Sequence, residues 1–179
     1  MGSITSTLFI SLDGVIEAPE TWHFDYFDEE MGEVVGTLMG ETDATLLGRQ
    51  TYDEFAGYWP DADPADPLTA QMNDARKYVV SNTLTEATWQ NSSVISGDIT
   101  AELTALKQDI RLGTTGSATL VRWMLEAGLI DELHLLVHPV VVGGGKKLFA
   151  DGAKVPLDLV SSTTFKTGVL HLVYAPATR

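Results

Sequence analysis

Short apolar runs alternate along this chain with segments of helical periodicity, and this order constrains the fold more than any other feature. Strand-like runs occupy residues 4–12, 44–48, 77–81, 92–96, 110–115 and 132–142. Helical spacing falls between them, over residues 27–39, 51–55, about 100–107 and 120–125. The Pro-rich residues 57–67 predict a surface loop. The runs at 159–165 and 169–175 flank Lys-Thr-Gly, which predicts a C-terminal antiparallel hairpin. The alternation predicts an α/β fold with a mainly parallel sheet, helices on both faces and one antiparallel edge.

Composition narrows the class of protein. A length of 179 residues with 44% hydrophobic side chains predicts one domain over residues 1–179. The formal net charge of −14 argues against nucleic-acid and membrane-surface partners, which need clustered Lys and Arg. No apolar stretch approaches the ~20 residues that span a bilayer, and the N-terminus lacks signal-peptide features, so a cytoplasmic location is expected. The absence of cysteine excludes thiolate catalysis and Cys-ligated metals.

One strand-to-helix junction combines Gly48, Arg49 and Thr51. In a parallel sheet such junctions lie at the carboxyl ends of the strands, where helix-start amides face ligands. Glycine permits close backbone approach, arginine grips phosphate through two donors, and threonine caps the helix or bonds the same anion. The same residues also suit a turn glycine, a surface arginine and an ordinary helix cap.

Two further junctions follow strands. Gly116 and Ser117 open an amphipathic helix, where Ser117 also suits a simple N-cap. Two anion-ready helix starts in one small domain indicate a nucleotide with several phosphates. The glycines at 143–145 fit neither a Walker loop nor a dinucleotide fingerprint. They favour close passage of Gly143 and Gly144 past a ligand or strand, or else form a loose turn.

Several catalytic classes lack support in the sequence. His134 and His138 share a predicted strand face about 13 Å apart, which is too far for joint metal ligation. The sequence therefore predicts no metal site. A Gly-x-Ser-x-Gly nucleophile elbow is also absent.

The ordered motifs resemble the dihydrofolate reductase-like family that includes the reductase domain of riboflavin biosynthesis. The resemblance covers roughly residues 4–175 and rests on the four segments FISLDGVIEAPETW, DATLLGRQTYDEFAGYWP, KYVVSNTL and TTGSATLVRWMLEAGLIDELHLLVHPVVVGGGKKLF. The resemblance implies a three-layer α/β/α dihydrofolate reductase-like fold. The chain resembles a bare copy of the C-terminal reductase domain of the bifunctional deaminase-reductase.

The resemblance also implies an NADPH site at the junctions. Gly48, Arg49 and Thr51 match the turn that holds the adenosine-side phosphates, with Arg49 at the 2′-phosphate. Ser81 matches the strand end beside the adenosine ribose, although Asn82 stands where many relatives have Arg. The helix start under the pyrophosphate is matched by Gly116, Ser117, Ala118 and Leu120. Dihydrofolate reductases have Gly-Gly where this chain has Gly116 and Ser117.

Hydride transfer to a C=N or C=O group also needs a proton source, for which a carboxylic acid is the natural candidate. Asp28 stands about where dihydrofolate reductases carry their acid, and it also suits a helix-start charge. Asp13 ends the first strand near the predicted site but also suits an Asp-Gly turn, and Glu17 is a third candidate. Trp22 either stacks on a planar substrate or anchors its loop.

The expected function is therefore an NADPH-dependent reductase of a small heterocycle, of pteridine, pyrimidine or related type. The expected reactions include one like that of 5-amino-6-(5-phosphoribosylamino)uracil reductase, although the sequence shows no second basic cluster for a substrate phosphate. The alternatives are a nucleotide-binding module without turnover and a homo-oligomeric structural protein. A homodimer is expected and is compatible with any of these functions, with the run at 132–142 as a candidate interface strand as well as a core strand.

Overall fold

A computed structural model describes residues 2–149 and 154–177. Its strands are β1 (Ser3–Ser11), β2 (Ala44–Gly48), β3 (Lys77–Val80), β4 (Ser92–Ile95), β5 (Arg111–Thr115), β6 (Glu132–His138), β7 (Leu157–Thr164) and β8 (Leu170–Pro176). Its α-helices are α1 (Glu29–Gly40), α2 (Arg49–Ala56), α3 (Pro67–Asp74), α4 (Ile99–Asp109) and α5 (Ala118–Glu126). Short 3-10 helices cover Pro19–Thr21, Phe24–Tyr26 and Trp59–Asp61.

The eight strands form one mixed sheet in the order β4-β3-β2-β5-β1-β6-β8-β7. Strands β1 to β6 pair in parallel, whereas β8 is antiparallel to both β6 and β7. The predicted dihydrofolate reductase-like α/β fold, with its parallel sheet and C-terminal antiparallel hairpin, is confirmed. The carboxyl ends of the six parallel strands lie at one edge of the sheet, where the site develops.

The core follows from strand alternation. Successive residues of a strand point to opposite faces, so Leu46 joins the large cluster under α4 and α5, while Leu47 packs toward α2 with Tyr52. In β1, Leu8 belongs to the large cluster and Phe9 to the smaller cluster under α1. Both faces of the sheet are therefore buried, as its apolar strands require.

The sequence interpretation differs from the structure at two elements. Residues 57–67 were interpreted as a surface loop, but its last residue, Pro67, begins α3, whose N-cap Asp66 accepts a hydrogen bond from Leu68 N at 2.9 Å. Proline suits the first helical turn because the missing N–H would have no partner there. The run at 132–142 was interpreted as one strand, yet β6 ends at His138 because Pro139 has no N–H for the ladder.

Strand β6 lies between β1 and β8, so both of its edges are already paired. This makes it a core strand and leaves no free edge on β6 for a partner. Within the part of the chain that the structure describes, no helix combines the length and apolarity needed to cross a membrane.

Candidate functional site

A cavity of about 790 Å³ opens at the carboxyl ends of the parallel strands. Such a volume suits a cofactor or drug-sized ligand. One part of its lining comes from the starts of α2 and α5, and another from the segment that follows β1. The lining residues are Leu8, Phe9, residues 16–20, residues 48–51, Glu54, Phe55, Val80, Ile99, residues 115–120, Trp123 and Lys146.

The starts of α2 and α5 are joined by two reciprocal hydrogen bonds. Gly48 N donates to Ser117 Oγ at 3.0 Å, and Ser117 N donates to Thr51 Oγ1 at 3.1 Å. Both Gly116 (φ 60°) and Ser117 (φ 51°) adopt positive φ, which turns β5 sharply into α5. This turn brings the first amides of α5 to the wall of the cavity, where an anion gains both hydrogen bonds and the favourable end of the helix dipole.

Replacing Thr51 with Val should test this cross-link, because Val keeps the shape of the side chain but cannot accept from Ser117 N. We expect the free energy of unfolding to fall by about 1–2 kcal/mol, measured by urea denaturation. Thr51→Ser keeps the oxygen and serves as the matched control. If the Val variant proved as stable as the Ser variant, the hydrogen bond would contribute nothing.

Both signs of charge line the cavity. Arg49 Nε donates to the two carboxylate oxygens of Asp53 at 2.9 and 2.7 Å, and the Arg49 side chain is 42% exposed. Lys146 Nζ donates to Gln50 Oε1 at 3.2 Å. Carboxylates lie nearby at Glu17, Glu20 and Glu54. Arg49 and Lys146 therefore offer local cations in a strongly acidic protein.

The remaining lining is mainly apolar and includes the aromatic rings of Phe9, Phe55 and Trp123. Phe55, Val80, Ile99 and Trp123 line the cavity together with Leu120, and Phe9 and Ile16 line it from the segment around β1. Flat apolar walls beside helix-start amides suit a ligand that combines planar rings with anionic groups.

The cavity brings together most of the cofactor residues that the sequence predicted. Gly48, Arg49, Thr51, Gly116, Ser117, Ala118 and Leu120 all line it. Ser81 does not, although the preceding Val80 does, and its hydroxyl accepts from Thr83 N and Leu84 N within a local turn. Gly143 and Gly144 are exposed and also lie outside the lining. The roles of these residues in binding stay predictions.

Asp13 connects the end of β1 to the glycine-rich loop. Its carboxylate accepts from Ser11 Oγ at 2.7 Å, Val142 N at 3.0 Å and Gly143 N at 2.9 Å. These contacts, led by the Ser11 hydroxyl, lower the pKa of Asp13 to about 2. At neutral pH the group is an ionised acceptor, and it does not line the cavity. This state does not suit the proton-donor role predicted for it.

Asp28 is the N-cap of α1, where its carboxylate accepts from Met31 N at 3.0 Å. It too lies outside the cavity lining. The hydrogen bond from Met31 N therefore supports the interpretation of Asp28 as a helix-start residue. Of the three acids named from the sequence, Glu17 is the one that lines the cavity, and its Oε2 accepts from Lys146 N at 3.1 Å.

Trp22 is buried beside the cavity rather than in its lining. Its Nε1 donates to Glu17 O at 3.1 Å, and its ring meets His138 edge to face at 5.2 Å. These contacts fit the loop-anchoring alternative.

The sequence interpretation missed several lining residues, among them Phe9, Gln50, Trp123 and Lys146. Lys146 directly follows the three glycines at 143–145, and this position in the sequence could have identified it as a candidate site residue. Phe9 and Trp123 lie on periodic apolar faces that indicate only burial. Within residues 2–149 and 154–177, no cluster of three or more His, Cys, Asp or Glu side chains could hold a metal ion.

Comparisons with known proteins agree with this architecture. Residues 3–171 match the sequence model of the RibD C-terminal domain family. The uncharacterized protein YyaP of Bacillus subtilis is 34% identical over 93% of this chain and 91% of its own length. A candidate riboflavin biosynthesis protein from Shewanella sp. PV-4 has the same fold, with a TM-score of 0.79 and 21% identity over 98% of this chain and 99% of that protein.

A larger structural relative comes from Thermotoga maritima. It is a diaminohydroxyphosphoribosylaminopyrimidine deaminase/5-amino-6-(5-phosphoribosylamino)uracil reductase, with a TM-score of 0.67 and 15% identity. The match covers 98% of this chain but 57% of that protein. This chain therefore corresponds in fold to little more than half of the Thermotoga protein.

Proposed function

The chain belongs to the RibD C-terminal domain family, and from this premise we propose that it is an NADPH-dependent reductase of a small planar heterocycle. The observation that carries the proposal is the pair of cross-linked helix starts, α2 and α5, at one wall of a cavity with aromatic lining. Family membership supports a reductase-like role, and the chemistry of the lining supports the cofactor.

The residues fit a dinucleotide in three respects. The first amides of α5, near Gly116 and Ser117, suit the pyrophosphate. Arg49, on the first turn of α2, suits a ribose phosphate, because a guanidinium can bind it through two donors. The rings of Phe55 and Trp123 supply apolar surface for a base. When bound, the reduced nicotinamide supplies a hydride.

The chain's own residues must hold the acceptor and supply a proton to the atom that gains charge. Glu17 is the carboxyl group we assign to proton supply, since it lines the cavity, whereas Asp13 and Asp28 lie outside the lining. Glu17→Gln should lower turnover strongly and leave NADPH affinity within about twofold.

Replacing Arg49 with Ala should weaken NADPH binding about tenfold or more and NADH binding much less, because the guanidinium is assigned to the additional phosphate. Isothermal titration calorimetry with both cofactors measures this ratio. Arg76→Ala removes an exposed arginine outside the lining and is the matched control. Equal losses for NADPH and NADH would refute the assignment of Arg49, and no binding of either cofactor to the unaltered chain would refute the proposed function.

The competing function is nucleotide binding without turnover, favoured by the engagement of Asp13 and Asp28 outside the cavity. It predicts NADPH binding with no oxidation across pyrimidine, pteridine and quinone acceptors. The panel should begin with 5-amino-6-(5-phosphoribosylamino)uracil, the compound in the name of the Thermotoga protein. Oxidation of NADPH with any of these acceptors would decide for the reductase.

A further inference from the structure

An aromatic cluster lies directly beside the cavity, behind the wall formed by Phe9 and residues 16–20. Its members are Phe9, Trp22, His23, Phe24, Tyr26, Phe27 and His138. Phe9 belongs to both the cluster and the cavity lining, and it stacks on His23 with ring centroids 4.5 Å apart. The cluster therefore extends from the cavity wall to the carboxyl end of β6.

His138 stands at the centre of this cluster and is fully buried. The rings of Phe9, Trp22, His23 and Tyr26 surround it edge to face, at centroid distances of 5.7, 5.2, 6.0 and 5.8 Å. Four rings thus enclose one imidazole.

The hydrogen bonding of His138 fixes its tautomer. Its Nδ1 lies 2.8 Å from the carbonyl oxygen of Leu136, which can only accept, so Nδ1 carries the proton. Burial lowers the pKa of this histidine, although the carbonyls of Leu136 and Ile10 oppose the effect. In the neutral ring, Nε2 therefore presents a lone pair and can only accept.

No hydrogen-bond partner for His138 Nε2 exists among the described residues, and the atom is buried. The same holds for Nδ1 of His23, whose ring lies 6.0 Å from that of His138. Buried polar atoms almost always have a partner, so two such exceptions in one cluster call for an explanation.

Residues 18–27, which cover these two histidines, are held against the sheet by packing. All recorded hydrogen bonds of residues 18–27 within the described chain are local: they join residues of this segment to one another or to Glu17. Packing of the rings is therefore what holds it against the sheet. Phe24 and Phe27 are already 64% and 47% exposed, and Ala18 at its start has a strained φ of 45°. Moving this segment away breaks no hydrogen bond to another element.

We propose that His138 Nε2 is the polar anchor of the acceptor-substrate subsite and selects planar heterocycles that present an N–H donor. This rests on the proposed function and names its substrate class. The subsite is reached when residues 18–27 move outward, and a planar ring then takes their place against Phe9. A pteridine or pyrimidine amide can donate to His138, whereas a quinone, which carries acceptors only, cannot.

Two matched probes test the inference on the full chain. Lumazine carries ring N–H donors, and 1,3-dimethyllumazine has the same rings with those donors methylated. Calorimetry in the presence of saturating NADP⁺ should show lumazine binding about tenfold more tightly than the dimethyl compound. His138→Phe should remove this difference by weakening lumazine alone, while His138→Gln, which retains an acceptor oxygen, should keep part of it.

A spectroscopic readout does not depend on any variant. Long-range ¹H–¹⁵N correlation spectra of the unaltered protein should show the His138 Nε2 resonance shifting on addition of lumazine but not of 1,3-dimethyllumazine. An unchanged Nε2 resonance under saturating lumazine, failure of lumazine to bind, or equal affinity for the two probes would overturn the inference. NADPH titration is independent of all three, so failure of the cofactor site is distinguishable from failure of the His138 subsite.

Discussion

Replacing Lys77 with Met lowers the free energy of unfolding by about 2–3 kcal/mol, because the end of α3 then loses its buried donor. The side chain of Lys77 is almost fully buried, and its Nζ donates to Met72 O at 2.9 Å, Asn73 O at 3.0 Å and Ala75 O at 2.6 Å. Asn73 O also accepts from the side chains of Gln90 and Asn91. The loss therefore falls mainly on the carbonyls of Met72 and Ala75.

The charge of Lys77 is not itself the source of this stabilisation. Burial lowers the pKa of Lys77 to about 8, with Asp74 opposing the shift, although the ammonium lies 4.1 Å from the centroid of the Trp89 ring. The fold thus disfavours the charged form relative to water, even with three carbonyls around it. What Met cannot replace is the N–H donors, since an unpaired buried carbonyl keeps its full desolvation cost.

Urea denaturation at pH 7 measures the effect, with Lys154→Met as the control at an exposed lysine. The control should change stability by less than about 0.5 kcal/mol. Because Lys77 has no carboxylate partner among its hydrogen bonds, the loss should be nearly the same in 0.1 and 0.5 M salt. A loss below 1 kcal/mol would mean that these carbonyls find other partners.

The environment of Lys77 shows why part of the fold escaped sequence interpretation. A lysine at the start of an apolar run is normally solvated. Its burial depends on α3 (Pro67–Asp74), a helix that the sequence interpretation did not predict. Asp66 followed by Pro67 is a helix-start signal. The apolar periodicity of residues 68–74 is weak, however, and the prolines of residues 57–67 favoured a loop.

The strong periodic elements were predictable because burial on both faces of the sheet dictates their pattern. Strands β1, β2, β3 and β5 and helices α1, α4 and α5 all match the predicted segments to within a few residues. The end of β6 was misplaced because Val140, Val141 and Val142 continue the apolar run beyond Pro139. Two of these valines are in fact exposed, at 66% and 36%.

The site was predictable where it depends on chain order and unpredictable where it depends on contacts between distant segments. Gly48 ends β2 and Gly116 directly follows β5, and parallel pairing brings both strand ends to one edge of the sheet. Gln50 and Lys146 meet across 96 residues. Nothing local to either residue predicts that contact.

Acid should destabilise this protein as the pH falls below the ordinary histidine pKa of 6.5, before most carboxylates titrate. Burial lowers the pKa of His23, His138 and His171. Neighbouring histidines add to the shift at His23 and His171, and Glu20 opposes it at His23. The folded protein therefore favours the neutral form of each of these side chains, which lie within the aromatic cluster or beside His134.

The sign follows from proton counting. As pH falls below the ordinary histidine value of 6.5, the unfolded chain binds protons that the folded chain does not, so stability decreases until the folded pKa is passed. Each histidine contributes at most about 1.4 kcal/mol per pH unit, so the slope from all three together cannot exceed about 4 kcal/mol per pH unit. The stabilisation that comes from the neutral histidines is fully present only above pH 6.5.

Urea denaturation at pH 7.5, 6.5 and 5.5 measures this slope. His171→Gln keeps a hydrogen-bonding side chain but removes one titrating group, and should reduce the slope by the share of that histidine. Because burial is the main cause, added salt should change the slope little. The lowered pKa values of Asp13 and Asp43 act in a separate window, below their ordinary value of 3.8. A flat profile from pH 7.5 to 5.5 would therefore mean that the histidines take up protons in the folded protein, which requires the aromatic cluster to admit water.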